Sequence, residues 1–252
     1  MKLFLNDQEW IDTNSPLDIS IPLQNNNSNL RAWYVDAPVI EPVRANGFVG
    51  SVAEGGGVNF RNIFFNPHGH GTHTECLGHI TEEVHSINKT LTSFFCKALV
   101  ISMQPTEQLN DDGEVDHIIE AKHFENIRPE SDIEAIIIRT MPNGIEKKSM
   151  NYSGTNPPFL DIACIDFFDK YAINHLLIDT PSVDREVDAG VLAFHHAFWK
   201  VPENPNFERT ITELIFVENS IEDGTYLLEI QAAPFENDAT PSRPVLYKIH
   251  SK

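Results

Sequence analysis

The chain of 252 residues predicts a mixed α/β sheet, and three features of the sequence lead to that fold class. Buried-type apolar runs stand at 96–102, 135–139 and 175–179, as expected of strands inside a sheet. Segments of helical spacing at 115–127, 159–172 and 187–199 alternate with them through the second half. Neither an internal repeat nor a low-complexity linker divides the chain, so residues 1–252 read as a single domain.

Residues 16–23 alternate like a short strand closed by Pro22. The Asn-rich stretch 25–29 is a polar loop. Residues 34–43 are apolar but contain Pro38 and Pro42, which confines any strand there to an edge. Gly55, Gly56 and Gly57 make a turn, and 58–65 reads as a strand leading into a His-rich loop. Residues 80–91 are polar, 111–113 a turn and 115–127 a helix. Asn156, Pro157 and Pro158 cap the helix at 159–172. The strand at 175–179 ends in the loop 180–184, before the helix at 187–199. Residues 213–218, 224–233 and 244–250 are three more strands, with a polar loop at 234–241.

Apolar residues make up 41% of the chain, enough for a sizeable core. Thirty-seven acidic against 18 basic residues give a net charge of −19. That balance argues against nucleic acid and against an anionic membrane surface as partners. Three scattered cysteines, Cys76, Cys96 and Cys164, suit reduced intracellular thiols better than a disulfide framework. Residues 1–10 lack the apolar region of a signal peptide, and no run reaches the length of a membrane span. A cytoplasmic location is the expectation.

Chemistry concentrates at 66–79, which holds His68, His70, His73 and His79 together with Glu75. Gly69, Gly71 and Gly78 permit tight turns and close backbone approach, so the stretch reads as a loop aiming imidazoles and a carboxylate at one point. Neutral imidazole with carboxylate is a ligand set for zinc or a similar divalent metal. Further ligands must come from distant elements. His195–His196 can offer one, because neighbours on a helix diverge by about 100°. Glu218 ends an apolar run, where a carboxylate is costly unless it is paired or metal-bound. Asp179 and Asp184 are candidates for orienting a ligand. His85, His117 and His123 read as surface residues.

These residues resemble the metal-dependent cyclase family, which includes bacterial kynurenine formamidase and isatin hydrolase. Its signature is His-x-Gly-Thr-His-x-Asp-x-Pro-x-His, matched here by Gly71, Thr72, His73, Glu75 and His79. Residues 18–20, 178–184, 195–196, 217–219 and 238–245 resemble further family motifs in the same order. The resemblance implies a swivelling β/β/α-type fold and a homodimer. It implies His73, Glu75, His195 and Glu218 as metal ligands and His79 as general acid/base, with zinc foremost and manganese an alternative. The implied activity is metal-dependent hydrolysis of an amide or cyclic amide, as in an arylformamidase that converts N-formylkynurenine to kynurenine and formate. Two alternatives stand beside it: a hydrolase or cyclase for another ring or lactone, and a metal-poor relative that only binds a small molecule. The chain departs from the signature in four places. The first His falls on Gly69, flanked by His68 and His70 as substitutes. The Asp is Glu75, the Pro is Leu77, and residues 200–212 resemble an insertion.

Overall fold

All three buried-type runs are strands in the computed structural model, which describes residues 1–111 and 113–251. Asp112, within the turn expected at 111–113, lies outside the described residues. Seven strands form the closed part of the main sheet, and an eighth, Leu17–Asp18, pairs with the last of them. The seven are β1 (His73–Glu75), β2 (Phe95–Met103), β3 (Ile133–Thr140), β4 (His175–Ile178), β5 (Thr210–Glu213), β6 (Gly224–Ala232) and β7 (Ala239–Lys248). Their order is β6-β2-β3-β4-β5-β1-β7, and β7 pairs back onto β6, so the mixed sheet closes into a barrel. Neighbours from β2 to β5 run parallel, and the other pairings are antiparallel.

The parallel strands are apolar on both faces because both are covered. Ala135, Ile137 and Leu177 join Leu228, Ile230 and Leu246 inside the barrel. Ile136, Ile138, Leu176, Ile178 and Ile211 point outward, under Phe167, Phe168, Phe194, Phe198 and Trp199. Those aromatics come from two short helices, Ile165–Lys170 and Ala193–Trp199. Burying an apolar side chain of this size stabilises by about 1.5–3 kcal/mol, so the outer layer fixes the second helix firmly on the sheet.

Several expected elements are redrawn by tertiary contacts. The helix expected at 115–127 is instead a strand, Val115–Ile119, followed by a 3-10 turn at Ala121–Phe124. The strand pairs with Thr106–Leu109 and with Phe159–Leu160, so the expected helix at 159–172 starts as sheet. The helix expected at 187–199 is confined to Ala193–Trp199, because Ala189, Gly190 and Leu192 all have positive φ. The strand expected at 213–218 ends at Glu213. Leu214 turns left-handed there, with φ of 56°. Residues 210–212, part of the expected insertion, are strand β5 itself. Arg61–Phe64 pairs only with Val39–Pro42, as a ribbon with all four of its own residues exposed. Among the described residues no helix is long and apolar enough to cross a membrane.

Candidate metal centre

The outward face of β1 carries His73 and Glu75, two residues apart and therefore on the same side of the strand. On β5, Glu213 is the register partner of His73, and the His73 Nε2–Glu213 Oε2 distance is 3.4 Å. Pairing with β5 on one side and β7 on the other buries β1 completely. Thr74 points the opposite way and hydrogen-bonds Thr212 and Ser242. Both carboxylates, Glu75 and Glu213, are buried.

Two further imidazoles arrive from outside the sheet. His68 sits in a single helical turn, Pro67–His70, and its own amide donates to the Asn66 side chain. Its Nδ1 lies 3.0 Å from Glu75 Oε2 but off the hydrogen-bonding direction, so both atoms lack a hydrogen-bond partner among the described residues. His195 comes from Ala193–Trp199, with Nε2 3.1 Å from Glu75 Oε1. Asp184 accepts hydrogen bonds from the Phe194 and His195 amides and, at 2.6 Å, from His195 Nδ1. One carboxylate thus caps the helix and orients its functional ring.

Each of the three imidazoles follows one pattern. His73 Nδ1 donates to the Gly71 carbonyl at 3.0 Å, His195 Nδ1 to Asp184, and His68 Nε2 to Asp238 at 2.8 Å. Those acceptors have no proton to give, so each ring carries its hydrogen on the outer nitrogen. The inner nitrogens all face the Glu75 and Glu213 carboxylates. A lone pair aimed at a carboxylate oxygen is repulsive unless a positive charge lies between them. That charge is either a metal ion or added protons. Without metal the protein takes protons: burial opposes it, but the hydrogen bond to Asp238 and the adjacent Glu75 carboxylate push His68 up to about 10. Burial is likewise outweighed at His195, where Asp184 and Glu75 push the ring to about 10. Burial, then the charge on Glu75, raises Glu213. The inner atoms of His68 and His73 and one Glu75 oxygen are orphaned polar atoms, which fits a cation bound among them. Two donor groups lie within 4.8 Å, His68/Glu75/His79 and His73/Glu75/Glu213, and Glu75 is common to both.

His79 stands at the rim, with 31% of its side chain exposed. Its Nδ1 is 3.4 Å from the same Asp238 oxygen that holds His68. The bonds from His68 and His79 keep the Asp238 carboxyl well below the usual carboxylate range. A cavity of about 360 Å³ opens beside the cluster, lined by Trp33, His79, Leu192, His195 and Glu213 among others. Trp33 and Leu192 have φ of 59° and 47°, conformations costing of order 1 kcal/mol or more for bulky residues.

The structure therefore brings together His68, His73, Glu75, His79 and His195 from the sequence-derived set. Glu218 is not among them: it is half-exposed and pairs with Lys148 at 3.2 Å, while Glu213 occupies the cluster. Both glutamates flank the apolar run 214–217, and the left-handed turn at Leu214 makes the first of them the buried strand end. His70 turns away as well, accepting from the Asn66 amide and donating to the Asp36 carbonyl. A side chain at Gly69 would bring its Cβ within 2.8 Å of Val35, so this position is closed to His unless Val35 moves. Asp179 orients no ligand; it pairs with Lys147 at 2.8 Å. Asp238, within a recognised sequence motif but given no role there, holds both His68 and His79.

A family model described as "Putative cyclase" matches residues 17–185. No curated protein matches the sequence. Among solved structures, isatin hydrolase A from Labrenzia aggregata, bound to benzyl benzoate, aligns with a TM-score of 0.65 at 14% identity, covering 92% of this chain and 93% of that one. A predicted metal-dependent hydrolase from Bacillus stearothermophilus aligns at 0.61 and 13% identity, covering 92% and 98%. Isatin hydrolase A from Ralstonia solanacearum gives 0.62 at 11%, covering 92% and 91%. At these identities the likeness is one of fold.

Proposed function

The chain belongs to the putative cyclase family, and on that premise we propose that it is a metal-dependent hydrolase of a small amide or cyclic amide. The observation carrying this reading is the trio of imidazoles, His68, His73 and His195. Each is backed by an acceptor and turns its inner nitrogen toward the buried carboxylates of Glu75 and Glu213. A non-catalytic binder has no need of so many buried polar groups, each costly without a partner. The donor set of nitrogen and carboxylate oxygen favours zinc, with manganese as the alternative.

A divalent cation held by these residues supplies a Lewis acid for the substrate carbonyl and a water nucleophile near neutral pH. The protein's own groups do the rest. His79, at the rim of the cavity, delivers a proton to the leaving nitrogen, and Asp238 holds its ring through Nδ1. Trp33 and Leu192 wall the cavity, whose volume of about 360 Å³ suits a small substrate. An aryl formamide of the N-formylkynurenine type and a cyclic amide of the isatin type are the two substrates to compare. Seating His68 in place of the signature's first His, which falls on Gly69, and Glu75 where the signature has Asp, reshapes the floor of the site and favours a hydrolase or cyclase for another ring or lactone as second reading.

The test is a turnover assay of chelator-treated protein, with and without added zinc or manganese, on N-formylkynurenine, isatin and simple lactones. Metal-restored hydrolysis of one of the two amides is the expected result. Turnover of lactones alone would move the protein to the ring-ester reading. Protein that takes up metal and hydrolyses none of them would overturn the enzymatic reading.

A further inference from the structure

A second cavity, of about 270 Å³, lies at the carboxyl ends of the parallel strands β3 and β4. The turn at 179–182 separates it from the metal cavity: Asp179 and Thr180 line one, Pro181 and Ser182 the other. Asp179 is 1% exposed and uses only one oxygen, Oδ2, which accepts from Lys147 Nζ at 2.8 Å and the Thr140 amide at 3.0 Å. Lys147 is saturated, since its other protons go to the Thr140 carbonyl and hydroxyl at 2.7 and 2.9 Å. Two polar atoms are left over. Asp179 Oδ1 and the Tyr152 hydroxyl, on a residue 4% exposed, are buried with no hydrogen-bond partner among the described residues. A buried unpaired polar group costs about 1–3 kcal/mol, so two on one cavity call for a guest that pairs with them.

The lining states the chemistry of that guest. Asp179 Oδ1 can only accept, so the guest must donate. Three carboxylates, Asp179, Glu107 and Glu146, line the cavity against one lysine, Lys147, and one imidazole, His117, so a positively charged guest is favoured. Met141, Met150 and Pro158 supply apolar wall, and methionine repacks easily around a guest. We propose that this cavity is a second ligand site, taking a small molecule that carries a protonated amine on an apolar body.

The test titrates the full-length, metal-loaded protein with benzylamine, benzyl alcohol and toluene by calorimetry. Benzylamine binds saturably in the millimolar range or tighter, and toluene at least ~10-fold more weakly. Tyr152→Phe, which breaks no existing bond, weakens benzylamine roughly 3–10-fold. Glu107→Gln, at the exposed rim, weakens benzylamine but not benzyl alcohol. Glu213→Gln, in the metal cluster, leaves benzylamine binding unchanged. Absence of saturable benzylamine binding, equal binding of toluene, or binding abolished by Glu213→Gln yet untouched by Tyr152→Phe would each overturn the proposal.

Discussion

Replacing Glu213 by Gln should act with opposite sign on the two forms of the protein. Glu75 and Glu213 offer oxygens within 4.8 Å of one another, in a buried site. Two unit charges at that distance repel by about 3 kcal/mol at an effective dielectric of 20. Burial and the Glu75 charge together outweigh the attraction of His73 and His195, so they raise Glu213 and leave the ionised carboxylate strained in the metal-free protein. Gln keeps the shape: its oxygen can still accept from the Val183 amide and its NH₂ can donate to His73 Nε2. Metal-free Glu213→Gln should therefore be more stable, with Tm rising by about 2–4 °C for each kcal/mol relieved in a chain of this length. With metal the sign reverses, because the same charge attracts the cation. Loss of a residue that merely supports a ligand costs 10–100-fold in metal affinity, so loss of this carboxylate should cost at least ~100-fold. The assay is thermal unfolding of chelated protein together with a competition titration for zinc. Glu218→Gln is the control, since that side chain meets only Lys148 at the surface. Should Glu213→Gln bind zinc as tightly as the parent, or Glu218→Gln lose it, the assignment of the buried glutamate fails. A metal-free variant less stable than its parent would refute the electrostatic reasoning.

Further outcomes are expected. His68→Ala should weaken metal binding at least ~10-fold. His70→Ala should leave metal content intact and instead cost about 1–3 kcal/mol, by breaking the ring's bonds to Asn66 and Asp36; plasma emission and urea titrations separate the two. His79→Ala should keep its metal and lose about 10²–10⁴-fold in kcat, which single-turnover kinetics at saturating metal would show. His175, held neutral by burial at about 4 against an ordinary 6.5, gives stability that is complete above pH 6.5 and declines as pH falls toward 4. The shift caps that loss at about 3 kcal/mol, partial exposure of the ring lowers it, and His175→Gln should flatten this limb of the urea-midpoint profile. A homodimer would cover the exposed ribbon, so Ile63→Lys with Phe64→Lys should yield a monomer by light scattering, and a parent that is already monomeric would refute it.

Much of the site was written in the order of residues. The density of His and Gly at 66–79 marks a ligand loop because the ligands lie close in sequence, and strand alternation alone puts His73 and Glu75 on one face. The buried runs 96–102, 135–139 and 175–179 declare themselves because parallel strands covered on both sides are apolar through their middles on both faces. The remote ligand was harder to read. Whether Glu213 or Glu218 is buried depends on where Leu214 turns left-handed, and that turn is held by hydrogen bonds of residues 214–216 to Thr180, Ile178 and Ile19. The choice between His68 and His70 depends on Val35 pressing against Gly69 and on Asp238 arriving from the opposite end of the chain. The sequence by itself determined which kinds of side chain would meet and that a cation would be wanted among them, because donor chemistry and strand period are local properties. Only the tertiary structure decided which of two neighbouring candidates does the meeting, because a one- or two-residue shift of a loop is set by packing partners more than a hundred residues away.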